Sequence, residues 1–135
     1  MEDKKQTRPQ EIMNLIKKHH EWRGSCINLI ASENITSKLV RNALISDFSH
    51  RYAEGDPFQR MYKGALYSDK IEVLTIKLAR RIFNAEHVNV KPISGCQANQ
   101  AIFYALTKPG DKIMAMEIPA GGHISYMEFG GAGIR

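Results

Sequence analysis

The chain predicts an α/β fold in which N-terminal helices give way to a parallel βαβ unit, and three stretches carry that expectation. Val88 and Val90 alternate with polar neighbours, as a short strand does, and Pro92 cannot continue a sheet ladder. After Gly95, the small or apolar residues Ala98, Ala101, Ile102, Ala105 and Leu106 recur at helical spacing. Lys108-Pro109-Gly110-Asp111 ends that helix, and residues 113–118 read as a second strand. Strand, helix and strand with short connections make a parallel crossover. Two parallel strands do not complete a sheet, because parallel sheets are normally covered on both faces. The pattern therefore reads as the front part of a larger α/β protein, either a fragment or a chain that needs a partner.

In chain order, residues 8–21 predict a helix. Thr7 and Gln10 have capping-box spacing, and Ile12, Leu15, Ile16 and His19 share a face. So thin a stripe implies packing against another body. Gly24 and Ser25 break the helix, and a short apolar run from Cys26 to Ile30 leads into the polar cluster Ala31-Ser32-Glu33-Asn34. Thr36 and Ser37 are candidate caps for a helix to about residue 49, with Leu39, Val40, Ala43, Leu44 and Phe48 on its buried side. Residues 50–67 read as a loop, broken by Gly55, Gly64 and the Asp56-Pro57 step. Tyrosines, arginines and a glutamate in so long a loop point to binding rather than disorder. Asp69 then predicts the cap of a helix to about Asn84, with Glu72 at its third position and Ile71, Leu74, Thr75, Leu78, Ile82 and Phe83 inward. Pro119-Ala120-Gly121-Gly122-His123 is a turn after the second strand, and residues 130–135 add no regular element.

With 135 residues the chain is long enough for one domain with its own core. The formal net charge of +5 comes from short basic pairs on amphipathic segments, which suits solvated helix faces better than a nucleic-acid surface. No apolar run approaches the roughly 20 residues that span a bilayer. The charged N-terminus carries no apolar signal core, so a soluble cytoplasmic protein is expected. Cys26 and Cys96 are too few for a disulfide framework, and His19-His20-Glu21 lacks zinc-ligand spacing, so no metal site is expected.

Ser94-Gly95-Cys96 falls at a helix N-terminus, where backbone N–H groups lack partners and the helix dipole favours an anion. Gly95 allows a ligand to approach the backbone closely. The turn reads as a phosphate cup or as an ordinary cap in which Ser94 satisfies the helix's own donors. His123 lies at the carboxyl end of the second expected strand, the edge where open parallel sheets bind ligands.

Four stretches together resemble serine hydroxymethyltransferase: Asn28-Leu29-Ile30-Ala31-Ser32-Glu33-Asn34, Arg51-Tyr52-Ala53-Glu54-Gly55, Ser94-Gly95-Cys96-Gln97-Ala98-Asn99 and Gly121-Gly122-His123. They stand in the family's order and at about its spacing, over nearly the whole chain, and the tail is similar to the archaeal branch. The resemblance implies the start of the large domain of a fold-type I transferase dependent on pyridoxal 5'-phosphate, of the aspartate-aminotransferase kind. It divides the chain into a helical arm and dimerisation segment at 1–50, an active-site loop at 51–67 and the beginning of the cofactor domain at 68–135.

The resemblance implies that Ser94, Gly95 and Cys96 hold the cofactor phosphate, that His123 stacks on its ring and that Tyr52 reaches the phosphate from a neighbouring subunit. Cys96 stands where many members have a second serine, and a thiol is a weaker donor. Glu54 is similar to the proposed acid–base group at the substrate hydroxymethyl, while Tyr62 and Ser32 match positions near the substrate. With His123, Glu54 and Tyr62 form the implied catalytic set, and Ser32, Tyr52, Glu54 and Tyr62 the implied substrate set. Asp56-Pro57-Phe58-Gln59-Arg60-Met61-Tyr62 departs from the family's glycine-containing, double-tyrosine loop.

The implied reaction interconverts serine and glycine and passes one carbon to a tetrahydropterin, in a homodimer with shared sites or with a complementing C-terminal chain. Neither membrane nor nucleic acid is an expected partner. The family's cofactor-linking lysine, its pyridine-facing aspartate and its carboxylate-binding arginine fall beyond the residues present, so the isolated chain is expected to be inactive. The competing readings are a non-catalytic remnant or half of a split enzyme, and another enzyme of the same fold such as a threonine aldolase or aminotransferase. Tyr52-Ala53-Glu54-Gly55 resembles the hydroxymethyltransferase loop specifically.

Overall fold

The computed structural model describes residues 8–132, so Thr7 of the expected capping box and the tail 133–135 lie outside the described residues. The chain divides into two units, the first ending at Ser49 and the second starting at His50.

In the first unit, helix α1 spans Arg8–Gly24. Ile12, Leu15 and Ile16 line up at the expected spacing but stay exposed. The segment after α1 is held by Arg23, whose Nη2 donates to Glu33 Oε2 at 2.8 Å. Helix α2 spans Lys38–Leu44, and Ser37 caps it as expected, its Oγ accepting from Val40 N at 3.3 Å. It stops well short of residue 49, because Ser46 Oγ donates to the Ala43 carbonyl at 2.7 Å and competes with the helical ladder. A 3-10 helix follows at Asp47–His50.

The second unit opens with a feature absent from the sequence expectation. Within the stretch expected to be a loop, strands β1 (Gly55–Asp56) and β2 (Gln59–Arg60) pair antiparallel, with Gly55 opposite Arg60 and Asp56 opposite Gln59. Pro57 and Phe58 form the corner, and Phe58 sits at φ 65, a left-handed conformation that bulky side chains rarely adopt.

Helix α3 spans Leu66–Phe83, and Ala65 at its cap position makes no side-chain capping bond. The expected cap, Asp69, instead lies inside the helix and is buried. Asn84 ends α3 in the left-handed conformation, which asparagine tolerates. Helix α4 spans Gly95–Leu106 behind Ser94, followed by 3-10 helices at Ile118–Ala120 and Ile124–Tyr126.

The expected βαβ unit does not form. Residues 88–90 and 113–117 pair with no strand, and the hairpin is the one sheet among the described residues. An extended segment needs a ladder partner to become a strand, and a parallel pair also needs cover on both faces. The expected core is likewise missing, since no apolar side chain is buried among the described residues. Asp69 and Ser125 are the buried ones, and both are polar. The helical stripes are present but have little to pack on; the closest packing joins β1 to β2 and α4 to the last 3-10 helix. None of the described helices is long and apolar enough to cross a membrane.

Candidate functional site

The first turn of α4 is fixed by two local hydrogen bonds. Ser94 Oγ accepts from Gln97 N at 3.2 Å, and Gln97 Oε1 accepts from the N–H of Ile93, the residue before the cap, at 2.8 Å, a variant of the Ser-x-x-Gln capping box. Ser94 therefore is a helix cap. A hydroxyl has one donor and two acceptor sites, so capping leaves its proton free to donate. Among the described residues, no acceptor meets the N–H of Gly95 or of Cys96. A Cβ placed on Gly95 would meet nothing within 4 Å, so the space over the turn is open. Cys96 is exposed and carries a free thiol.

His123 caps the last 3-10 helix, its Nδ1 accepting from Ser125 N at 3.2 Å. The same Nδ1 lies 2.9 Å from Ser125 Oγ. Ser125 Oγ in turn accepts from Asn99 Nδ2 of α4 at 2.7 Å. His123 is thereby tied to the helix whose first turn is Ser94-Gly95-Cys96. Glycines shape this corner: Gly121 turns at φ 99, and a Cβ on Gly122 would run into the Met116 carbonyl.

A second cluster lies in the hairpin loop. Tyr62 donates its hydroxyl to Glu54 Oε2 at 2.6 Å. The tyrosine's ionisation is pushed above the ordinary phenol range, first by that hydrogen bond and then by the carboxylate's charge. Tyr52 stands beside it, the two rings 6.0 Å apart and tilted. The sequence brought these three residues together only through the resemblance; the structure puts them in contact along the hairpin.

Arg60 holds this loop in place, and the sequence reading gave it no role. Its Nε donates to Asp69 Oδ1 at 2.6 Å and its Nη2 to Glu72 Oε2 at 2.6 Å. Its Nη1 donates to the carbonyls of Ala53 and Gly55, which flank Glu54. Only 3% of the Arg60 side chain is exposed. A planar fork with five donors suits such a site, where a lysine would reach fewer acceptors. The signal was available: Asp69 and Glu72 lie three apart on one helix face, an arrangement suited to a shared cation. Lys91 adds a tie from the segment entering α4, donating to Asp56 Oδ1 at 2.8 Å and to the Gly55 carbonyl at 3.1 Å. That bond holds the Asp56 carboxyl below the usual carboxylate range.

Ser32 lies in the first unit, in the turn closed by Glu33 N donating to the Ile30 carbonyl at 3.1 Å. It makes none of the contacts of the two clusters described above. Among the described residues no group of three histidine, cysteine or acidic side chains is arranged to hold a metal ion.

Comparison with known proteins agrees with the family resemblance. The family profile described as serine hydroxymethyltransferase matches residues 5–130. A serine hydroxymethyltransferase of Methanothermobacter thermautotrophicus is 57% identical over 126 residues, covering 93% of this chain and 30% of the relative. The protein of the same name from Methanosphaera stadtmanae is 56% identical over 126 residues, again 93% of this chain and 30% of the relative. That of Pyrococcus furiosus is 48% identical over 125 residues, 93% of this chain and 29% of the relative. The chain thus spans about 30% of the length of the curated relatives it matches. A match over residues 5–130, at such identity, places the chain in the serine hydroxymethyltransferase family.

Proposed function

We propose that this chain forms the N-terminal part of a serine hydroxymethyltransferase that uses pyridoxal 5'-phosphate to interconvert serine and glycine, passing one carbon to a tetrahydropterin. The observation that carries the reading is the tie between His123 and α4, which links a flat imidazole to a helix start with free donors. The residues present fit the cofactor. Among the described residues, Gly95 N–H, Cys96 N–H and the Ser94 hydroxyl proton are donors without acceptors, suited to phosphate oxygens, and Gly95 leaves the approach open. His123 offers a ring face for the pyridine. Bound, the cofactor would supply the electron sink for bond cleavage at the amino acid's α-carbon.

Glu54 would hold or release a proton at its carboxyl, with the Tyr62 hydroxyl donating to Oε2 and keeping the group aimed. Tyr52, exposed beside Tyr62, would reach a phosphate oxygen across a subunit boundary. Ser32 would meet the substrate carboxylate. The exposed apolar stripes of α1 and α3 support assembly with a second copy or with further parts of the enzyme, since faces of this kind are normally covered.

Backbone amide spectra of the full chain test the cofactor site. On adding pyridoxal 5'-phosphate, the Gly95 and Cys96 amide signals shift, and pyridoxal without its phosphate leaves them in place. Equal shifts with both compounds, or none with either, would overturn the reading.

A further inference from the structure

We propose that Asn99 and Ser125 are positioning residues that hold His123 as its Nε2–H tautomer, in a fixed orientation on α4. The inference rests on the reading of His123 as the side chain that faces the cofactor ring.

Ser125 is the most buried polar residue described, 2% exposed, in a chain with no buried apolar side chain among the described residues. A hydroxyl so enclosed requires partners, and this one is satisfied on both sides. It accepts from Asn99 Nδ2 at 2.7 Å, so its own proton is left for His123 Nδ1 at 2.9 Å. The direction of a hydroxyl or an amide is an assignment, but that of a backbone N–H is not. Ser125 N also reaches His123 Nδ1, at 3.2 Å, and can only donate. Nδ1 is therefore the acceptor, and the neutral ring carries its proton on Nε2.

A second path from α4 reaches the same ring. Phe103 lies 6.5 Å from the Tyr126 ring, edge on, and Tyr126 lies 5.9 Å from the His123 ring. Gly95, Asn99 and Phe103 stand four residues apart in succession, so they form one row along α4. The row starts at the anion-ready turn and ends at the aromatic contact, and His123 is attached to it at two points. A ring held this way presents one face and one N–H donor without reorganising when a ligand arrives.

Imidazole ¹⁵N spectra of the full chain, taken where His123 is neutral, decide the matter. The wild type shows Nε2–H as the single tautomer of His123. Ser125→Thr, which keeps the hydroxyl, retains that pattern. Asn99→Ala and Ser125→Ala each bring up a measurable Nδ1–H fraction beside Nε2–H, as the loss of one hydrogen bond to the network does. Mixed tautomers or Nδ1–H in the wild type would overturn the proposal even if neither alanine variant folds. So would alanine variants that match the wild-type pattern. The result is independent of the cofactor titration, so a chain that fails to bind pyridoxal 5'-phosphate refutes the function and leaves the tautomer to be judged separately.

Discussion

Arg60 donates from Nε to Asp69 Oδ1 at 2.6 Å, with both side chains less than a tenth exposed. The pair joins the hairpin to α3, and the same guanidinium grips the carbonyls on either side of Glu54. Replacing Arg60 by alanine would leave Asp69 buried without its partner, take the guanidinium donor from the Ala53 carbonyl and leave the Gly55 carbonyl to Lys91 alone. The hairpin then opens, and Met61 N–H, which bonds to the Glu54 carbonyl, loses protection from hydrogen exchange about tenfold. Arg60→Lys rescues only part of that protection, because an ammonium lacks the fork. Exchange rates at Met61 that stay at the wild-type value would show that the clamp does not organise the loop.

The Glu54–Tyr62 bond predicts a titration. Tyr62 keeps its proton above the ordinary phenol range because the Glu54 carboxylate accepts it. A folded-state value above the unfolded one means that the contact's contribution is fully present below the unfolded value. It is lost as pH rises through the folded value, so the window lies above about pH 10. Glu54→Gln removes the negative charge and brings the Tyr62 midpoint down. Site-resolved NMR of the phenol ring measures it, and an unchanged midpoint would rule out the contact in solution.

Phe58 predicts a stabilising substitution. Its φ of 65 belongs to the left-handed region, which costs an ordinary residue about 1–2 kcal/mol. Its ring is well exposed, so little burial is lost by removing it. Phe58→Gly relieves the strain but adds backbone freedom to the unfolded chain, a cost of about 0.5–1 kcal/mol. The net effect is a gain of about 0.5–1 kcal/mol in denaturant unfolding. A loss of stability would place the Phe58 ring in a contact that exposure does not reveal.

What the sequence made legible followed from local rules. Ser37, a candidate cap beside Thr36, and Ser94, readable as a cap or as a phosphate cup, both cap their helices, because a serine before an amphipathic run has a short-range partner three residues on. The helix after Gly95 came from periodicity, and that over 8–21 from periodicity with the capping-box spacing of Thr7 and Gln10. The misreadings of Asp69 and of residues 88–90 turned on a partner outside the local pattern. Asp69 has the look of a cap, yet Arg60, nine residues earlier, takes its carboxylate into the interior. The Asn99–Ser125 bond spans 26 residues and leaves no periodic trace. Val88 and Val90 alternate like a strand, but alternation records only which faces would be covered and supplies no ladder partner.

The α4 turn yields the last prediction, in which capping and ligand binding separate. Ser94→Ala removes both the bond to Gln97 N and the free hydroxyl donor, so the helix loses about 1 kcal/mol and anion binding weakens with it. Cys96→Ser leaves the cap intact and exchanges an exposed thiol for a stronger donor. Its expected outcome is unchanged α4 stability, read from amide exchange along the helix. Affinity for pyridoxal 5'-phosphate then rises by about threefold to tenfold, the weight of one added hydrogen bond. If the serine variant binds no more tightly than the wild type, the position-96 side chain does not face the phosphate, and the backbone N–H groups of Gly95 and Cys96 carry the turn without it.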